Sequence, residues 1–214
     1  MTYQVRDPFR SERLIFRAVQ FPGDNDLFIA INDDRIGYQN SNASNSRLPS
    51  AADAEKWQKS VAEDSLLGAV IWLPPTPDAL ENQASESKLV VHRGTPIGQI
   101  NLGSLSKGMM HHRFSEIAID ILPEYQGKGY GSEAIRWILD YAFRRLALHK
   151  VKIRAFEWNE GAVRLYERIG FRHEARQREE FWHEGRWWDS FILGILDREW
   201  KEMTEEKERS ENVL

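Results

Sequence analysis

Three glycines alternate with larger residues in Gln126-Gly127-Lys128-Gly129-Tyr130-Gly131, after an apolar run that stops at Pro123 and before a helical pattern. A strand, a glycine-rich turn and a helix start make an anion site on physical grounds. The first amides of a helix have no intrahelical partner, and the helix dipole places partial positive charge beside them. Gly127, Gly129 and Gly131 let the backbone turn those amides inward and let a phosphate approach with no Cβ in the way, while Lys128 adds charge from the rim. The spacing is not the Gly-x-x-x-x-Gly-Lys-Ser/Thr of nucleotide hydrolases. It is not the Gly-x-Gly-x-x-Gly of dinucleotide sites either, because Ser132 follows Gly131. On the loop alone, a tight strand-to-helix turn is the competing reading.

The loop has to be held by its neighbours. Residues 113–122 read as the strand before it, ended by Pro123, and Ser132 to Leu148 carry Ile135, Ile138, Leu139, Ala142 and Leu146 at helical spacing. Val151 to Phe156 reads as a strand. Asn159 can cap a helix over Gly161 to Ile169, with Gly170 as its left-handed end. Phe171 to Phe181 and Trp187 to Leu196 form a last pair of strands around His183-Glu184-Gly185. Upstream, residues 12–19 read as a first strand, Leu27 to Ile31 as a short helix, and Gln39 to Ser50 as an Asn- and Ser-rich loop. Ser50 then caps a helix over Ala51 to Glu63. Leu67 to Leu73, Lys88 to His92 and Pro96 to Leu105 read as strands, with 76–87 a polar loop, Arg93-Gly94-Thr95 a tight turn, and Lys107 to His112 a further turn. After Trp200 the chain is almost all charged, a helix end or a disordered tail. The order implies one α/β (α+β) domain over 1–200, a mixed, mostly antiparallel sheet with helices on both faces, followed by a charged tail over 201–214.

Composition narrows the function. The 214 residues are 41% hydrophobic and 29% charged, which reads as globular. With no cysteine there is no disulfide framework, thiolate zinc site or cysteine nucleophile. The amino terminus lacks the apolar core of a signal peptide, and no stretch approaches the roughly 20 apolar residues that span a bilayer, so a cytoplasmic protein with no membrane partner is the expectation. A net charge of −4 disfavours nucleic acid, which is bound mainly through clustered Lys and Arg. His111 and His112 are adjacent, so on an extended chain they point apart, and no metal is expected there.

The loop's context is more specific than the loop. Gln126-x-x-Gly129-x-Gly131 follows Leu122-Pro123-Glu124-Tyr125 and resembles the Gln/Arg-x-x-Gly-x-Gly/Ala pyrophosphate motif of the GNAT N-acetyltransferase superfamily. Ser115-Glu116-Ile117-Ala118-Ile119-Asp120-Ile121 before it resembles the fourth strand of the ribosomal-protein-alanine and spermidine acetyltransferase branch. Asn159 to Phe171 resembles that branch's Asn-x-x-(small)-x-x-x-Tyr-x-x-x-Gly-Phe segment, and the ending through Glu180-Phe181, Glu184-Gly185-Arg186 and Asp189 is similar too. The close match covers residues 113–200; the front third matches only in the order of its elements.

The resemblance implies the GNAT fold, with the fourth and fifth strands splayed to admit acetyl-CoA, and transfer of acetyl to a primary amine by direct attack in a ternary complex. A small-molecule or polyamine-like acceptor is favoured; a protein or peptide N-terminal acetyltransferase and a non-catalytic acyl-CoA-binding module are the alternatives. It implies that backbone amides of Gln126, Gly127, Lys128, Gly129, Tyr130 and Gly131 hold the pyrophosphate, that the pantetheine arm pairs with Ile119 and Ile121, and that Asn159 bonds the arm. An amide near Ile121 would face the thioester oxygen. Glu116 is the implied base, with Asp120, on the same strand face, as the other candidate. Tyr166 is the implied acid, a phenol able to protonate the leaving thiolate. No metal is implied, and the assembly would be a monomer or homodimer.

Two regions keep open readings. Trp182, Trp187 and Trp188 cluster with Phe181 and Phe191 near the last hairpin; burial in the core is the default, with some rings shaping the acceptor pocket. The loop 39–50 is either a lid over the acceptor or an ordinary surface loop.

Overall fold

A computed structural model describes residues 7–44, 46–75 and 94–211. The expected strand at Lys88 to His92, the 76–87 loop, Arg93 of the Arg93-Gly94-Thr95 turn and the last residues of the tail lie outside the described residues.

Seven described strands form one sheet in the order β1-β2-β3-β4-β5-β7-β6: β1 Ile15–Ala18, β2 Ser65–Leu73, β3 Thr95–Gly103, β4 Phe114–Ile121, β5 Lys150–Phe156, β6 Arg172–His183 and β7 Arg186–Leu196. Every neighbouring pair is antiparallel except β4 and β5. The helices are α1 Asn25–Asp33, α2 Arg35–Ser41, α3 Ala51–Glu63, α4 Tyr130–Arg144, α5 Glu160–Ile169 and α6 Asp197–Glu211.

Alternation along β2 shows how the layers form. Ala69 and Ile71 join the core under α4 and α5, while Val70 and Trp72 join a second core with Leu27 and Phe28 of α1 and Val61 of α3. The strand is buried on both faces, so it is uniformly apolar rather than alternating polar and apolar. On α4 the buried set Ala134, Ile135, Ile138, Leu139 and Ala142 forms the stripe that its spacing predicts. Trp137 on the same helix stacks on Phe16 of β1, with ring centroids 3.6 Å apart, and fixes the sheet edge to α4.

The ends of the helices follow their capping residues. Ser50 and Asp53 form a reciprocal capping box at α3. Asn159 accepts from the Ala162 amide at α5, and Gly170 ends that helix at φ 116°. α4 stops at Arg144 rather than Leu148. The amides of Leu146 and Leu148 bond back to the carbonyls of Tyr141 and Ala142, and Ala147 takes a positive φ of 50°, so the chain turns out of the helix.

One further segment differs from the sequence expectation, and the tail takes the helical one of its two readings. Gln39, Asn40 and Ser41 complete the short helix α2, so the polar loop begins at Asn42. Of this helix only Tyr38 is buried. At the other end, α6 is one continuous helix through residue 200. Trp200 is buried and Met203 packs on the main core, which ties down its first turns despite the charged sequence.

Candidate active site

The break in the sheet lies beside the glycine loop. β4 pairs with β5 only from Phe114↔Lys150 to Ile117↔Ile153, yet β4 continues to Ile121 and β5 to Phe156. Beyond that point β4 stays with β3 as far as Gly98↔Ile121, and β5 stays with β7 as far as Phe156↔Ser190. The strands diverge and leave the β5-facing edge of residues 118–121 without a strand partner. This is the expected splay, and Ile119 and Ile121 lie on it. A cleft of about 1280 Å³ runs from the loop, through the splay, to α2 and the start of the polar loop.

At one end the loop is shaped for an anion. Gly127 and Gly129 have φ of 71° and 83°, and Gly129 is the residue from which α4 starts. Among the described residues, no protein acceptor takes the amides of residues 127–131. The Gln126 amide differs, because it donates to the Pro123 carbonyl at 3.2 Å, and its side chain donates to the Ile121 carbonyl at 2.7 Å. Gln126 therefore ties the loop to the end of β4. Lys128 lies outside the cleft wall, with its ammonium over the Tyr125 ring. Arg13 is a holding residue that the sequence did not reveal. Its guanidinium donates to Glu133 at 2.7 Å and to the Lys128 carbonyl at 3.1 Å and covers the Tyr130 ring. Nothing local marks it, because its partners are more than a hundred residues away.

In the middle of the cleft, Tyr166 on α5 is 8% exposed. Burial, reinforced by the charge of Asp120, raises its phenol well above the ordinary tyrosine value. It therefore stays protonated throughout the physiological range. Asn159 also lines the cleft, while its Oδ1 caps α5 at 3.2 Å from the Ala162 amide.

The two acidic candidates of β4 share the cleft but differ in their surroundings. Glu116 lies where β4 and β5 are still paired, opposite Lys152, with 43% of its side chain exposed and the Arg154 guanidinium 3.8 Å away. Asp120 lies in the splay. Its carboxylate accepts from Gln99 of β3 at 2.9 Å, and burial raises its pKa, with the nearby Asp34 adding to the rise and hydrogen bonds from Gln99 and Ser41 opposing it. Asn40, Ser41, Asn42 and Ser44 form part of the wall here.

The tryptophan cluster divides by strand alternation. Trp182 and Trp187 face each other across the hairpin and are 57% and 55% exposed, so neither is core. Phe181 and Trp188 take the other face and pack around Trp158, and Phe156 carries that cluster to the cleft wall.

The model of the acetyltransferase (GNAT) domain matches residues 13–172. The spermidine N(1)-acetyltransferase of Vibrio cholerae is 40% identical over 94 residues, 44% of this chain and 54% of the relative. The putative ribosomal N-acetyltransferase YdaF of Bacillus subtilis is 34% identical over 112 residues, 52% of this chain and 60% of the relative. These matches span little more than half of each curated relative. Among solved structures, spermidine N-acetyltransferase from Vibrio cholerae in complex with CoA and spermine superposes with a TM-score of 0.70 at 27% identity, covering 89% of this chain and 99% of that one. A dodecameric structure of the Vibrio cholerae enzyme gives 0.64 at 29% identity, covering 87% and 95%. Among the described residues, no helix is long and apolar enough to cross a membrane.

Proposed function

The chain belongs to the GNAT acetyltransferase family, whose co-substrate is acetyl-CoA, and from this we propose that it moves acetyl from acetyl-CoA to a primary amine by direct attack in a ternary complex. The observation that carries the reading is the splay of β4 from β5, which opens at one end onto the unpartnered amides of residues 127–131 and at the other onto acidic residues.

Each requirement of the reaction has a residue to meet it. The loop amides fit a pyrophosphate, and the free edge at Ile119 and Ile121 fits an extended arm carrying amides, added like a strand. Asn159 stands beside that path. The N–H groups of that edge are the donors that face the thioester oxygen, and the Gln126 side chain occupies the Ile121 carbonyl beside them. Tyr166 is the acid for the departing thiolate. The proton acceptor is a carboxylate of β4, Glu116 or Asp120.

A polyamine-like acceptor is the favoured class. The names of the spermidine-acetylating relatives support it, and so do Asp34, Glu116 and Asp120 at the acceptor end, which suit a cationic chain. Acetylation of a protein N-terminus is the second reading, supported by the name of the YdaF relative. The test is release of free CoA from acetyl-CoA with polyamines, amino sugars, amino acids, amine xenobiotics and short peptides. Turnover with spermidine above all others is the expected result. Turnover with peptides alone would replace it with the second reading. Tight acetyl-CoA binding with no turnover on any acceptor would leave a binding module.

A further inference from the structure

We propose that Asp120 seats the attacking ammonium and is the catalytic proton acceptor, with Gln99 as its positioning residue. This rests on the acetyl-transfer reading above and assigns the base within it.

Gln99 is completely buried, and its one described side-chain bond is the donation from Nε2 to Asp120. The buried amide of Gln99 therefore fixes the Asp120 carboxylate, which lines the cleft. Around that carboxylate are Asp34 from the α1–α2 junction, the Ser41 hydroxyl of α2 and Tyr166 of α5. Glu116 and Arg154 lie further along the same wall and pair with each other. A group made only of N–H donors and carrying positive charge suits Asp120 and the nearby Asp34, and a protonated primary amine has three such donors.

Position separates Asp120 from Glu116. Asp120 lies in the splayed part of β4, close enough to Tyr166 for its charge to act on the phenol, so base and acid flank one point of the cleft. Glu116 lies on the paired part of the strand and is held toward Arg154. The step then balances. One ammonium proton passes to Asp120. The freed lone pair forms the N–C bond at the thioester carbonyl, the C–S bond breaks, and sulfur takes the Tyr166 proton. The second nitrogen proton restores Tyr166, and Asp120 returns its proton to water. The raised carboxyl of Asp120 suits this work, because a base whose conjugate acid is not too strong holds the proton long enough for attack.

The test uses the full chain with acetyl-CoA and spermidine, or the best acceptor of the panel if spermidine is not acetylated. Asp120→Asn keeps a partner for Gln99 and removes the proton acceptor. It should lower kcat by about 10²–10⁴-fold, remove the acid limb of the kcat/KM profile and leave acetyl-CoA affinity unaltered. Gln99→Leu should lower kcat about tenfold and displace that limb. Glu116→Gln should mainly raise the acceptor KM. A kcat for Asp120→Asn within about threefold of wild type, or loss of the acid limb in Glu116→Gln instead, would overturn the assignment. A carbon-13 titration of the Asp120 carboxyl, which needs no turnover, should give a midpoint above the ordinary carboxylate range. An ordinary midpoint would also overturn it. Absence of turnover on every acceptor by the wild type would instead sink acetyl transfer, with the titration still deciding the state of Asp120.

Discussion

Asp120 in the cleft and Asp189 in the last hairpin are the same residue type used in opposite ways. Asp189 is saturated with partners. Its carboxylate accepts from the Glu179 amide at 2.8 Å and from the Arg176 guanidinium, its own amide donates to Glu157 at 3.0 Å, and its carbonyl accepts from the Glu157 amide. The backbone donor and the arginine together hold its carboxyl below the ordinary range. The clip steadies Glu179 at a positive φ of 52°, in the stretch where the β6–β7 register shifts. Asp120 is bonded by the neutral side chains of Gln99 and Ser41 and has a second carboxylate, Asp34, nearby, and burial pushes it up. The charge and burial around each carboxylate decide whether it clips the backbone or stays available to take a proton.

The sharpest way to break the comparison is to remove its chemical partner. Tyr166→Phe deletes the hydroxyl and little volume, so turnover should fall by about 10²-fold or more with acetyl-CoA affinity retained. Stopped-flow turnover alongside calorimetric binding measures both, and unaltered turnover would remove Tyr166 as the acid. Gly129→Val acts on the donor end. A β-branched residue at φ 83° is strained, and its Cβ would stand 3.3 Å from the Arg13 guanidinium. Strain of about 1–3 kcal/mol corresponds to roughly 10- to 100-fold weaker acetyl-CoA binding if the loop must hold its shape. Affinity equal to wild type would mean the loop is only a turn.

Two smaller effects should have opposite signs. A carboxyl lowered in the fold stabilises the protein above its unfolded pKa and loses that contribution as pH falls through the folded value. Asp189→Ala should therefore melt below wild type at neutral pH, with the gap closing as pH drops below about 4. A carboxyl raised in the fold does the reverse: its buried charge is a cost that disappears once the group is protonated. Asp120→Asn should melt above wild type at neutral pH, with that gap closing as pH falls through the raised folded value and gone by about pH 4. Thermal melts across pH on both variants read this directly, and equal signs at neutral pH would dissolve the contrast.

The sequence marked the parts of the site that local chemistry dictates. The glycine loop, the Asn159 and Ser50 caps, the end at Gly170 and the face-sharing of Glu116 with Asp120 all follow from spacing within one element. What it left hidden depends on contacts distant in sequence. Gln99 reads as one polar residue in an apolar strand until register places it opposite Asp120. Arg13 reads as a surface arginine until it reaches Glu133 and Lys128. The short helix α2 lacks a strong local signal, and the outward turn of Trp182 and Trp187 follows from hairpin register, which aromatic composition does not encode.

The most direct test of transfer across the splay is the initial-rate pattern with acetyl-CoA and spermidine varied together, run alongside the intact mass of the protein after acetyl-CoA alone. Attack within a ternary complex predicts intersecting reciprocal plots and an unchanged protein mass. Parallel plots with a protein heavier by one acetyl group would contradict it.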